Sequence, residues 1–283
     1  MAETPFAPTL PAALAALEVR YPVRSLPAPS AAPSWREAGG ANMPVLVLLH
    51  GIGSGSGSWL HQLAALGQTH RVIAWDAPGY GRSTALPASE PAAADYAAAL
   101  ASLLEGLGVT RLTLVGHSLG ALVACAYAAR HADQVERLVL LNPARGYRNA
   151  PPELRRQKLD ERLALMERLG PLEHARQRGP ALLGPNASDD ARALVIWNSS
   201  QLHTSAYAQA ARMLAAGDLA EDAKRYPGPV LVACGSEDRI TPEKACRLIA
   251  AEFARADYHS LPGLGHASYI DSPELVNPLL LGA

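Results

Sequence analysis

Cysteine is scarce in this 283-residue chain: only Cys125, Cys234 and Cys246 are present. An odd count with no metal-ligand spacing argues against a disulfide framework and against a metal site. It suits buried free thiols in a reducing cytoplasm, which is the expected location. Basic runs are also missing. The net charge is −1 and no segment is dense in Lys or Arg, so a nucleic-acid partner, which leaves a basic footprint, is set aside. No stretch reaches 18 uninterrupted apolar residues, so no membrane partner or span is expected. The opening MAETPFAPTLPAALAALEV carries an acidic residue and several prolines but no basic n-region, unlike a secretory signal. What remains is 49% hydrophobic and 18% charged, the balance of a globular protein with length enough for a sizeable core.

Five short apolar runs are present: VLVLLHG (45–51), RVIAWDAPG (71–79), RLTLVGHS (111–118), RLVLLNPA (137–144) and PVLVACGSED (229–238). Each ends in Gly, Asp, Asn or Pro, as strands buried on both faces of a parallel sheet do. Helical patterns lie between them. SWLHQLAALGQ puts Trp59, Leu63 and Leu66 on one face, and AADYAAALASLLEGLG closes at Gly106 and Gly108. Alternation of this kind predicts βαβ units and a doubly wound, mostly parallel α/β sheet. LEVRYPVRSL and PSWREAG are expected as an antiparallel edge pair, with Tyr21-Pro22 limiting the first. The Pro/Ala-rich stretch 26–33 reads as a loop. From 147 to 226 strand-like runs stop and amphipathic helices follow, so the core is expected over 1–146 and 227–283 with a helical insertion over 147–226. That insertion is rich in Ala and poor in aromatics, which suggests a roomy pocket.

In an open parallel sheet, sites form at the carboxyl ends of strands. There this chain places Ser118, between Gly116 and Gly120, then Glu237 and Asp238, and after a last strand-like stretch His266. The strand ending at His50 runs into Gly51, Ile52 and Gly53. A hydroxyl, a carboxylate, an imidazole and a glycine-lined turn are what acyl transfer requires. The imidazole takes the hydroxyl proton, the carboxylate orients the imidazole, and backbone N–H groups face the oxyanion. Glu237 is a rival to Asp238, and His259 and His50 are rivals to His266. His259, inside DYHSLP, reads as a structural histidine, His50 as a brace for loop backbone near Asp76, and His117 as packing beside Ser118. GSGSGS (53–58) lets substrate approach the backbone, and without a following Gly-Lys-Ser/Thr it is no phosphate loop.

Gly116-His117-Ser118-Leu119-Gly120, in a strand–turn–helix setting, resembles the nucleophile elbow of the α/β-hydrolase family. The order Ser118, Asp238, His266 matches that family. HGIGSGSGSW resembles the oxyanion turn of its esterase and lactonase branch, DAPGYGRS its Asp-x-x-Gly-x-Gly-x-Ser loop, GSEDRITP its acid loop and GLGHASYIDSPE its histidine loop. The resemblance implies a Ser118 nucleophile, a His266 base, an Asp238 orienter, and oxyanion donors at Leu119 and at Ile52, with Gly53 the alternative. The insertion falls where the family carries its cap, and Trp197, Tyr207 and Tyr147 are candidate pocket residues. No cofactor and no metal are expected.

The resemblance also sorts reactions. Relatives with an aspartate nucleophile, such as epoxide hydrolases and haloalkane dehalogenases, are disfavoured by Ser118. Carbon–carbon hydrolases of ring-cleavage products usually carry Trp after the histidine, where this chain has Ala267. Enol-lactone hydrolases are closer in GHASYIDSPE, although Ala77-Pro78 stands where they usually carry Arg. The expected activity is hydrolysis of a small carboxylic ester or lactone through an acyl-enzyme. A carbon–carbon hydrolase and a catalytically silent binding protein of the same fold are the alternatives.

Overall fold

The computed structural model describes residues 12–26 and 33–282. Eight strands form one sheet: β1 (Arg24–Ser25), β2 (Ser34–Ala38), β3 (Val45–Leu49), β4 (Arg71–Asp76), β5 (Leu112–His117), β6 (Val135–Leu141), β7 (Val230–Gly235) and β8 (Ala256–Leu261). Their order across the sheet is β1-β2-β4-β3-β5-β6-β7-β8. β1 and β2 pair antiparallel, as do β2 and β4; every other pair is parallel. The doubly wound, mostly parallel α/β sheet expected from the apolar runs is the fold of this chain.

The pleat sorts the core into two halves, because successive side chains point to opposite faces. Val47, Leu49, Ile73, Leu114 and Leu140 face one side. There they meet α3 (Ala93–Gly106), α4 (Leu119–Ala128) and α9 (Glu243–Ala250). Leu46, Leu48, Val72, Val115 and Val139 face the other side. They meet α1 (Ala12–Arg20), α2 (Leu60–Leu66) and α11 (Pro273–Leu281), with the short α10 (Ser268–Asp271) before the last. Both faces are buried, so the strands need no polar alternation and read as continuous apolar runs. Trp59, Leu63 and Leu66 are all buried, as the spacing requires.

The N-terminal edge differs from expectation. Residues 17–20, read as the start of a strand, end the helix α1, and only Arg24–Ser25 pair with β2. AALAALEV is built from strong helix formers, and Leu14 and Leu17, three apart, both bury. Residues 27–32 of the expected loop lie outside the described residues.

Between β6 and β7 the chain is helical: α5 (Pro152–Arg178), α6 (Asp189–Ser200), α7 (Thr204–Ala216) and α8 (Leu219–Ala223). α5 is broken at Gly170, whose φ of 65° and ψ of 170° are not helical, and Pro171 follows without an N–H to donate. Among the described residues no helix is long and apolar enough to cross a membrane. Cys125, Cys234 and Cys246 are buried and unpaired.

Candidate active site

The chain runs from β3 outward to β4, then returns to the other side of β3 as β5. The carboxyl ends of β3 and β5 therefore flank a topological switch point, where sheets of this type leave a crevice. Ser118 stands there, between β5 and α4, with φ 52°. A positive φ costs a non-glycine residue about 1–3 kcal/mol, so the surroundings must impose it. They do so by close packing. A Cβ on Gly116 would lie 2.7 Å from the Gly120 carbonyl oxygen, and one on Gly120 would lie 2.5 Å from the Leu49 carbonyl oxygen. The glycines therefore let α4 press against β3 and β5, which forces the sharp turn. The Ser118 N–H donates to the Leu141 carbonyl (3.0 Å) and its own carbonyl accepts from Ala121 and Ala144 N–H.

Asp238 follows β7 and is buried, whereas Glu237 beside it is exposed. The His266 Nδ1 lies 2.8 Å from Asp238 Oδ2. Asp238 Oδ1 accepts from the Ile240 and Thr241 N–H groups at 2.7 and 2.9 Å. Its Oδ2 also accepts from the Thr241 hydroxyl at 2.7 Å and from Asn142 Nδ2 at 2.8 Å. Burial pushes the carboxyl up, but the bonds from His266 and Thr241 outweigh it and hold Asp238 below the usual carboxylate range. An ionised carboxylate on Nδ1 leaves the His266 Nε2 as the lone-pair nitrogen able to accept a proton.

His117 joins these two regions. Its Nε2 lies 2.9 Å from the His266 carbonyl oxygen, and the two rings stand 4.9 Å apart. Bonded to a carbonyl, that nitrogen must carry the hydrogen. The histidine that ends β5, just before Ser118, is thus more than packing: it ties the Ser118 turn to the loop that carries His266. Burial, and next the neighbouring His266, push the His117 imidazole down to about 3. His259, by contrast, is exposed on β8, and the structural role read for it is not seen.

The turn after β3 packs against the elbow. A Cβ on Gly51 would sit 3.0 Å from His117 Nδ1 and 3.2 Å from Ser118 Cβ. His50 braces this turn: its Nδ1 donates to the Gly51 carbonyl at 2.9 Å and its Nε2 accepts the Ala77 N–H at 3.0 Å. Tyr80 donates to the Ile52 carbonyl at 3.0 Å, which orients that peptide. Leu119 opens α4, so no carbonyl one turn earlier in the helix exists for its N–H.

Trp197, on α6, lines a cleft of 210 Å³ together with Ser54–Gly57, Asp76, Tyr80 and Arg36. Its ring stands 2.6 Å from where a Cβ on Gly57 would be. Tyr207 does not reach this cleft; it is buried with its ring 5.6 Å from that of His174. Tyr147 lines a separate small cavity beside Arg162 and Lys158. Three polar residues around Asp238 and His266 escape sequence reading: Asn142, Thr241 and Ser268. Asn, Thr and Ser at strand and helix ends look like ordinary turn residues, and only the fold brings Asn142 and Thr241 to Asp238 and Ser268 to Asn142.

The α/β hydrolase fold family model matches residues 44–273. The chain belongs to the α/β hydrolase family. A relative from Shigella flexneri, named as a putative carbamate hydrolase RutD, is 30% identical over 253 residues, 85% of this chain and 91% of the relative. Among solved structures, a hydrolase from Pseudomonas aeruginosa is 29% identical, with a TM-score of 0.79, covering 92% of this chain and 98% of its own. The enol-lactonase from Burkholderia xenovorans is 25% identical with a TM-score of 0.80, covering 92% and 98%. As an α/β hydrolase, the chain acts on a small molecule, and its switch-point crevice is where that molecule is to be sought.

Proposed function

We propose that this α/β hydrolase is a serine hydrolase of a small carboxylic ester or lactone. Ser118 attacks the carbonyl carbon while His266 Nε2 takes its proton. The oxyanion forms against the Ile52 and Leu119 N–H groups, each such donor being worth about 3 kcal/mol of barrier. His266 then protonates the leaving alkoxide, leaving an acyl-enzyme. A water, deprotonated by the same imidazole, attacks the acyl carbon and releases the acid and Ser118. Asp238 holds the tautomer and stabilises the imidazolium without taking the proton. Residues 147–226 act as a cap over the core of 1–146 and 227–283. Ser199 on α6 supports this reading, because its hydroxyl donates to the Gly53 carbonyl at 2.6 Å.

The observation that carries the reading is the buried Asp238–His266 pair, bonded through His117 to the strained turn that holds Ser118. The test is Ser118→Ala, assayed on p-nitrophenyl acetate and butyrate with circular dichroism as the control for folding. Turnover should fall on the order of 10⁶-fold. Unchanged turnover removes Ser118 from the mechanism. A carbamate belongs in the same panel, because relatives bear that name and its carbonyl would meet the same nucleophile.

A further inference from the structure

Among the described residues only two that are not glycine have a positive φ: Ser118 at 52° and Asn142 at 48°. They immediately follow the adjacent strands β5 and β6. Strain of this kind gathers where function over-determines the backbone, so the second outlier calls for a role as much as the first. Asn142 is completely buried and no step of the proposed reaction uses it.

Its bonds are specific. Nδ2 donates to Asp238 Oδ2 at 2.8 Å and to the Gly265 carbonyl at 3.2 Å; Oδ1 accepts from the Ser268 hydroxyl at 2.7 Å. Two acceptors on one side and a hydroxyl on the other fix which way the amide points. Its carbonyl oxygen also lies 3.1 Å from the Thr241 hydroxyl. Asn142 therefore touches the acid loop once with each half of itself and the histidine loop at Gly265 and Ser268, the residues flanking His266 and Ala267. It shares with His266 the single oxygen Oδ2.

We propose that Asn142 is a positioning residue that sets how much of the Asp238 charge reaches His266. An amide donor on Oδ2 draws off part of the carboxylate charge, so the imidazolium is stabilised less than it would be by an undivided carboxylate. Few other titratable groups face the pair. His117 approaches from the end of β5 and is held neutral by burial. The Cys234 thiol, on β7, lies 3.9 Å from Asn142 Nδ2, and its hydrogen bond with the free Cys246 thiol, followed by burial, keeps it protonated. Neither supplies a charge that could replace the amide's effect.

The proposal rests on the serine-hydrolase reading, so the test includes a measurement that does not need turnover. Asn142→Gly tolerates the positive φ and removes the whole side-chain amide, its donor to Asp238 and Gly265 and its acceptor for Ser268 together. In this variant the His266 imidazole, followed by NMR titration, should titrate at higher pH than in the parent, by about 0.5–1 unit. The acid limb of the kcat/KM profile should move with it. Asn142→Ala separates the backbone contribution: it should share the titration shift of the Gly variant and melt lower than it. A titration that stays in place or moves down in the folded Gly variant overturns the proposal. If the titration moves but no ester is hydrolysed and no fluorophosphonate labels Ser118, the activity reading fails while the role of Asn142 stands.

Discussion

The Ser118 turn and the Asp238–His266 pair are held by different physics. At Ser118 the constraint is steric. Gly116 and Gly120 leave no room for a Cβ and Gly51 leaves little, so backbone atoms of α4 and of β3 and its end close on one turn. At Asp238 and His266 the constraint is polar. Five donors converge on one carboxylate, and the network runs through Asn142, Thr241 and Ser268. On the proposed serine-hydrolase mechanism, the first kind of constraint shapes the fold and the second shapes the chemistry. Damage to the first should therefore appear mainly as lost stability, and damage to the second mainly as lost or altered activity.

The largest expected effect breaks the steric side. In Gly120→Ala the new methyl would sit 2.5 Å from the Leu49 carbonyl oxygen and 2.8 Å from that of His50, both backbone atoms of β3 and its end. Neither atom can move without shifting the central strand, so the variant should lose about 3 kcal/mol or more of stability. Chemical denaturation reads this directly. A midpoint equal to the parent's would mean that α4 and β3 are free to separate, and the account of the elbow would go with it.

The same contrast explains what can be read from residue order. Only glycine fits where a Cβ is excluded, so Gly116 and Gly120 around Ser118 mark the sharp turn in the sequence itself. The strands of the central sheet are equally plain, because burial on both faces leaves an unbroken apolar run such as VLVLL. Polar convergence leaves no such mark. Asn142 lies 96 residues from Asp238 and 126 from Ser268, and each is a residue type that turns use everywhere. At the N-terminus, residues 17–20 pass for a strand only until the Ala-rich stretch before them is allowed to nucleate a helix that buries Leu14 and Leu17.

A smaller effect sharpens the polar side. Thr241→Val keeps the shape and the backbone N–H bond to Asp238 Oδ1 but removes the hydroxyl 2.7 Å from Oδ2. Loss of one hydrogen bond to a charged group costs about 1.5–3 kcal/mol. On the reading above this appears in the reaction, as a fall of roughly 10- to 100-fold in kcat/KM with most of the stability kept. If stability falls and kcat/KM does not, Thr241 belongs with the fold and the division between the two regions is drawn in the wrong place.

The smallest effect at neutral pH, and the one that probes the join between the regions, is at His117. Its imidazole is held neutral, down to about 3, by burial and by His266. In the unfolded chain a histidine titrates near 6.5. Between those two values the unfolded chain binds one more proton than the folded one, so stability falls as pH falls through this window. The slope from this one residue is about 1.4 kcal/mol per pH unit. His117→Gln keeps an N–H that can donate to the His266 carbonyl, and it has nothing to titrate. At pH 7.5 the variant should differ from the parent by less than about 1 kcal/mol. At pH 4.5 to 5.5, denaturant curves should show the variant losing less stability with each step down than the parent does. An identical slope in the two proteins would show that His117 takes up a proton while folded, and the neutral bridge between elbow and histidine loop would have to be given up.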